Sequence, residues 1–361
     1  MNPDPAIRIH SSRMLNRQQA QQTGHRPAIK KEGKTVRKDI WVGVDIGGTK
    51  TAVVLSRNPP EVLSRTEFAT LPAKGPQQAI DQIVAALHKM LAELNSSPKA
   101  IRGIGVSCGG PLNTQTGVVQ APPNLPTWID VPIVDILKKE FRCPVLLEND
   151  ANAGAVAEHR YGGGKGARNM VFLTMGTGLG AGIVLNNKLY SGSNGMAGEV
   201  GHVRLTRTGP VGYNKAGSVE GWASGGGLAQ IAEDMIKTAR KNKRASLLLN
   251  LPKGRKVTAK DVGIAAKKGD ALARSIITAC GNKLGLALAI LVDILNPERI
   301  VIGGLAMRMG DTLLEPARKS MREEGLAPAL EVCTVVPATL GESIGDVAAL
   351  CIAMDAESGK E

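Results

Sequence analysis

The chain has 361 residues, with 45 Lys and Arg against 32 Asp and Glu for a formal charge of +13, and it is 43% hydrophobic but only 2% aromatic. That length allows two core-bearing domains, and the Gly-rich, aromatic-poor composition suits an α/β protein. Residues 1–40 carry +6 and residues 237–260 carry +9, leaving −2 for the rest, so a tail and one surface segment hold the excess and no DNA-binding face is expected.

Residues 1–39 read as a disordered basic tail, because runs such as Gln18-Gln19-Ala20-Gln21-Gln22 and Lys30-Lys31 bury too little apolar surface to offset their ordering entropy. Ile40 to Lys50 then reads as an apolar strand entering a Gly47-Gly48-Thr49 turn, with a second strand from Thr51 to Leu55. Two glycines let backbone N–H groups approach a phosphate, and Asp45 at the mouth could hold Mg²⁺ through water. As a bare pattern a Gly-Gly hairpin is common. Ile80, Ile83, Val84, Leu87, Met90, Leu91 and Leu94 recur at helical spacing, and that helix ends near Asn95 to Pro98. A strand from Ile101 to Ser107 meets the turn Gly109-Gly110-Pro111, and the loop Pro122 to Trp128 could present Asn124 and Trp128 to a small ligand, though such loops are more often connectors.

The short apolar run Val145 to Leu147 ends at Glu148-Asn149-Asp150, which places a carboxylate at a strand's carboxyl end, the usual ligand-binding edge of an α/β sheet. Asn149 and Asn152 could hold Asp150 in one rotamer with its free oxygen facing a cleft, as suits a general base. Helix capping by Asn149-Asp150 stays open as the plainer role. After a helix containing Glu158 and the loop Gly162 to Gly166, Asn169 to Leu185 repeats the strand-turn-strand form. Gly176-x-Gly178-x-x-Ala181 matches a dinucleotide fingerprint formally, but a strand follows instead of a helix, which leaves a second phosphate-binding hairpin. Two such hairpins suggest a duplicated half-structure gripping one nucleotide. Further on, Cys280 to Leu295 reads as an apolar helix with Gly281, Gly285 and Ala289 in one row, suited to a close helix contact. The strand Arg299 to Ile302 runs into an open Gly303-Gly304 loop, and a strand near Val332 to Val336 and a helix from Ser343 to about Met354 close the chain.

Cys108, Cys143, Cys280, Cys333 and Cys351 are odd in number and widely spaced, which argues against a disulfide framework or a cysteine metal site and for a reducing cytoplasm. No apolar run was expected to reach the roughly 18 residues of a membrane span, and no secretory signal opens the chain.

With these pieces in order, the sequence resembles the ROK family (repressor, open reading frame, kinase) from about Trp41 to near the C-terminus. Asp45 to Lys50 is similar to its first phosphate motif, Gly176 to Gly180 to its second, Ile302 to Gly304 to its adenosine motif, Glu148 to Asn152 to its catalytic segment, and Gly198 to His202 to the start of its signature. The resemblance implies an α/β fold of two actin-like (ribonuclease-H-like) domains around a central cleft: residues 40–151 with the helix 343–361 returning to them, and residues 152–342. It implies an ATP-dependent hexokinase or glucokinase acting on a hexose, glucose at O6 first. Asp150 would be the catalytic base, with Asn124, Asn149, Glu199, His202 and Glu220 on the sugar. Gly47, Gly48, Thr49, Lys50, Gly176, Thr177 and Gly178 would hold the phosphates, Gly303 and Gly304 the adenosine, and Asp45 the Mg²⁺ through water. A cytoplasmic homodimer is expected, with no membrane or nucleic-acid partner.

The chain departs from the family where three cysteines usually join the signature His on a structural zinc. Val211, Tyr213 and Ser218 stand there and supply no thiolate, so no zinc is expected. Val211 and Tyr213 were expected to hold that loop by packing instead, with Pro210 limiting its freedom. A sugar-responsive ROK-type regulator, for which residues 1–40 look too short and polar to form a helix-turn-helix, and a non-catalytic sugar-binding protein are the alternatives. The choice of hexose or N-acetylhexosamine, and of ATP or polyphosphate as donor, stays open.

Overall fold

The computed structural model describes residues 38–252 and 254–359. The expected tail therefore lies outside the described residues, apart from Lys38 and Asp39. Asp39 is already tied to the fold, its N–H donating to Ala100 O at 3.0 Å.

β1 (Ile40–Ile46), β2 (Lys50–Ser56) and β3 (Ser64–Ala69) form an antiparallel meander. Helix α1 (Pro76–Glu93) returns the chain to β4 (Ile101–Cys108), parallel to β1. The small hairpin β5 (Leu112–Asn113) and β6 (Val118–Val119) and helix α2 (Ile133–Phe141) lead to β7 (Val145–Asn149), parallel to β4. The sheet order is β3-β2-β1-β4-β7. Valine and isoleucine dominate the buried positions of β1 and β4 because helices cover both faces of these central strands, whereas β3 alternates half-buried and exposed residues as an edge strand does.

Helix α3 (Asp150–Tyr161) leads into a second meander, β8 (Met170–Met175), β9 (Leu179–Leu185) and β10 (Lys188–Leu189). A hairpin of β11 (Val211–Gly212) and β12 (Lys215–Ala216) follows, then helices α4 (Val219–Ala223), α5 (Gly225–Lys241), α6 (Ala259–Lys267) and α7 (Ala271–Leu295). β13 (Arg299–Ile302) is parallel to β8, and α8 (Leu305–Met309), α9 (Asp311–Glu324) and α10 (Ala327–Val332) lead to β14 (Thr334–Pro337), parallel to β13. The order β10-β9-β8-β13-β14 repeats that of the first sheet, with the same mix of parallel and antiparallel pairs. The fold is α/β, built from two actin-like, ribonuclease-H-like halves.

Helix α11 (Ile344–Ser358) returns to the first sheet and packs on β1 and β4, ending short of the expected 361. It sits close because β4 carries glycine there: a Cβ on Gly105 would come within 2.2 Å of Ala349 O and 2.3 Å of Ala353 N. Helix α7 begins nine residues before the expected Cys280 and is long and apolar enough to cross a membrane, contrary to the sequence expectation. It is a core helix: 61% of its most apolar window is buried, and it lies against α9. The expected glycine row makes that contact, since a Cβ on Gly281 or Gly285 would stand 2.6 Å from Leu313 O or 2.4 Å from Ala317 O.

Candidate active site

Three adjacent parallel strands end at one edge. Their register pairs Asp45 with Ser107 and Cys108 with Asn149, so Asp45, Ser107 and the Asn149-Asp150 pair arrive together. Asp150 opens α3, and its Oδ1 accepts from Ala151 N at 2.8 Å. Its Oδ2 is left toward the cleft: a Cβ on Gly109 would stand 3.8 Å from that oxygen and 3.6 Å from Nδ2 and Oδ1 of Asn124. Asn124 in turn covers the first hairpin, its Cβ and O each 2.7 Å from where Gly48 would carry a Cβ.

The flanking asparagines do not hold Asp150 as expected. Asn149 is the N-cap, its Oδ1 accepting from Ala151 N at 3.0 Å and Asn152 N at 3.4 Å, which turns it back on its own helix. Asn152 is buried and donates to Glu148 Oε1 at 3.0 Å. Capping and a cleft-facing carboxylate therefore coexist, in neighbouring residues. Trp128 is not a ligand anchor either: it is fully buried in the core of the first half, beside Leu125.

Asp150 keeps exposed surface, yet protein crowds around its carboxyl. That burial raises its pKa, and the Ala151 N–H offsets part of the rise. Asp45 is pushed up to about 6, first by burial and next by the charge of Asp150, with Ser107 opposing. Glu148 is also raised by burial and steadied by the Asn152 amide and the Asn149 N–H. Ser107 escaped the sequence reading. Its only signal was its place beside Asp45 in a parallel pair.

The second hairpin lies against the start of α3, where a Cβ on Gly180 would be 3.1 Å from Ala151 Cβ. Among the described residues, no acceptor takes the N–H groups of Gly48, Thr49, Gly176, Thr177 or Gly178. Gly47 differs from the expectation, since its N–H closes the turn on Lys50 O at 3.0 Å. Lys50 points its ammonium at Glu67, 2.9 Å away. Gly303 N donates to Leu173 O at 2.8 Å, and Gly304, at φ +65, would bring a Cβ to 2.1 Å from Met175 O, so the Gly303-Gly304 corner closes on the root of the second hairpin. Glycine turns whose N–H groups take no acceptor among the described residues fit a polyphosphate anion, and the two carboxylates Asp45 and Asp150, whose charges repel, fit a divalent cation.

Glu220 and the signature loop join this hairpin. Glu220 Oε2 accepts from Leu179 N at 3.0 Å, and Gly201 stacks on Leu179 O and Glu220 Cβ. The His202 ring meets Tyr213 edge-on at 4.9 Å between centroids, and its carbonyl accepts from Lys215 Nζ at 2.7 Å. Glu199 is exposed and borders an apolar hollow with Val203, Ile290 and Ile294; among the described residues no hydrogen bond joins it to the Asp150 edge. Val211 and Tyr213 are 48% and 57% exposed, so the packing expected to hold the loop reduces to the edge of Tyr213 on His202. Hydrogen bonds hold it: Gln230 accepts from Val211 N and donates to Val211 O, both at 2.9 Å, and buried Ser218 accepts from Gly221 N at 3.1 Å.

A duplicated actin-like fold with paired glycine hairpins and an acidic strand edge defines a class of phosphate-handling proteins. This chain belongs to the ROK family, whose model matches residues 41–356. It is 37% identical over 310 residues to a glucokinase of Halalkalibacterium halodurans, covering 85% of this chain and 93% of that protein. It is 30% identical over 302 residues to a xylose repressor of Caldicellulosiruptor bescii, covering 83% and 74%. The crystal structure of a ROK family glucokinase from Streptomyces griseus, in complex with glucose and AMPPNP, superimposes with a TM-score of 0.72 at 32% identity, covering 88% of this chain and 99% of that one.

Proposed function

We propose that this protein is an ATP-dependent sugar kinase that phosphorylates a hexose, glucose at O6 in the first instance. One observation carries the reading: among the described residues Asp150 Oδ2 has no hydrogen-bond partner, and it lies beside Gly109 together with the Asn124 amide, where an acceptor hydroxyl would meet a donor phosphate. Asp150 takes the hydroxyl proton as that oxygen attacks the γ-phosphorus, a contribution of about 10²- to 10⁴-fold. The N–H groups of Gly48, Thr49, Gly176, Thr177 and Gly178 hold the phosphate oxygens, and the Gly303-Gly304 corner, closed on the root of the second hairpin, borders the adenosine. Mg²⁺, held near Asp45 through water, would neutralise phosphate charge. Asn124, Asn149, Glu199, His202 and Glu220 hold the sugar, whose hydroxyls match acceptors that are costly to leave unpaired. We place the protein in the cytoplasm on the strength of five free, buried cysteines, and we place a homodimer contact on the apolar face of Ile290 and Ile294, the latter 73% exposed.

A panel of hexoses and N-acetylhexosamines with ATP and Mg²⁺, read by coupled ADP release, tests this. ADP release that depends on one hexose supports it. No release with any sugar, together with sugar-sensitive binding to a DNA duplex, would favour the regulator that the xylose repressor relative suggests.

A further inference from the structure

Glu220 touches more of this site than a sugar ligand needs. Its Oε2 accepts from Leu179 N in the second hairpin, and a Cβ on Gly178 would come within 2.6 Å of that same oxygen. Its own Cβ lies 3.4 Å and 2.8 Å from where Gly201 and Gly212 would carry theirs, so it also supports the His202 loop and the loop that replaces the zinc site. The residues just after it continue the grip: Gly225 N donates to Gly176 O at 2.8 Å and Gly226 N to Thr177 O at 3.0 Å. Segment 220–226 therefore fixes the turn 176–179 at three points. The other carboxylate oxygen of Glu220 has no hydrogen-bond partner among the described residues.

We propose that Glu220 is a positioning residue that couples sugar occupancy to the geometry of the donor-phosphate hairpin; this rests on the sugar-kinase reading. A sugar hydroxyl on the free oxygen fixes the carboxylate, the second oxygen fixes Leu179 N–H, and the N–H groups of Gly176, Thr177 and Gly178 are thereby set for phosphate. Coupling of this kind is reciprocal: sugar must tighten nucleotide binding by the factor by which nucleotide tightens sugar binding. A glutamate that merely binds sugar, or merely satisfies Leu179, gives no such factor.

Glucose is titrated calorimetrically into the full-length protein with and without Mg²⁺ and AMPPNP, in wild type, Glu220→Gln and Gly178→Ala. Hydrogen exchange of the segment 174–182 is followed in parallel. The wild type is expected to bind glucose about fivefold or more tightly with AMPPNP present, and glucose alone is expected to slow exchange at Leu179. In Gly178→Ala, which pushes the carboxylate off Leu179, the coupling factor, read as the ratio of that variant's own glucose affinities with saturating AMPPNP and without it, should fall to about 1. Glu220→Gln, which can still accept from Leu179 N, should retain part of the factor. Independent binding of the two ligands to wild type, or full coupling in Gly178→Ala, would overturn the proposal while leaving the kinase reading in place. Failure of the wild type to bind glucose or any other hexose would remove that reading and this proposal with it.

Discussion

The carboxylate of Asp150 is, after burial, what pushes Asp45 up to about 6, and the two residues stand at the ends of β1 and β7, the strands on either side of β4. Asp150 itself rises through the protein crowded around its carboxyl. The edge thus holds more negative charge than it can solvate, which is the condition a cation and a proton-donating hydroxyl would relieve.

That strain has a pH signature. The folded-state pKa of Asp150 lies above its unfolded value, so between the two the native protein binds more protons than the unfolded chain and loses stability as pH rises. Asp150→Asn removes the ionised form. The variant should melt a few degrees above wild type at pH 8, with the advantage fading as pH falls toward the ordinary carboxylate value of about 4. Scanning fluorimetry across that range checks it, and identical curves at pH 8 would contradict it.

The seat of the returning helix depends on a missing side chain. A Cβ at Gly105 would meet backbone atoms of Ala349, Ile352 and Ala353 at 2.2 to 2.7 Å, and backbone cannot move aside as a flexible side chain can. Gly105→Ala should cost about 1–3 kcal/mol or more in urea denaturation, as overpacking does. A change below about 0.5 kcal/mol would mean that α11 shifts freely.

The loop 203–220 is held by hydrogen bonds from Gln230 and Ser218, with no thiolate near. Gln230→Ala should cost about 0.5–1 kcal/mol, because water replaces the amide at the exposed Val211 N and O, and it should raise the sugar KM by loosening His202. A zinc chelator at constant free Mg²⁺ should leave the melting temperature of wild type unchanged. One equivalent of bound zinc, lost to the chelator with a fall in melting temperature, would contradict this account.

Features that are local in sequence were legible, and features made by distant contacts were not. Both glycine hairpins and the strand ending at Glu148-Asn149-Asp150 follow from short-range patterns; the structure brings the first hairpin and that strand to one edge and sets the second hairpin against the start of α3. The repeated sheet order was foreshadowed by the repeated hairpin. The capping role read for Asn149-Asp150 falls to Asn149, but nothing local tells that Asn152 turns to Glu148, because that depends on which side of the helix the core covers. The proline-stiffened loop 122–128 read as a ligand-presenting segment or a connector, and nothing local told that it folds over the first core and buries Trp128. Val211 and Tyr213 read as packing residues on hydrophobicity alone, and the clamp that replaces them, Gln230, lies on another helix. Gly225 and Gly226, which bind the second hairpin, carried no motif of their own.

The central claim is that Asp150 is the base of a sugar phosphorylation, and single-turnover phosphoryl transfer by Asp150→Asn with glucose, ATP and Mg²⁺ tests it most directly. The account predicts glucose affinity within about threefold of wild type by calorimetry and a phosphoryl-transfer rate lower by about 100-fold or more, because the amide cannot accept the hydroxyl proton. A transfer rate within about threefold of wild type would contradict it.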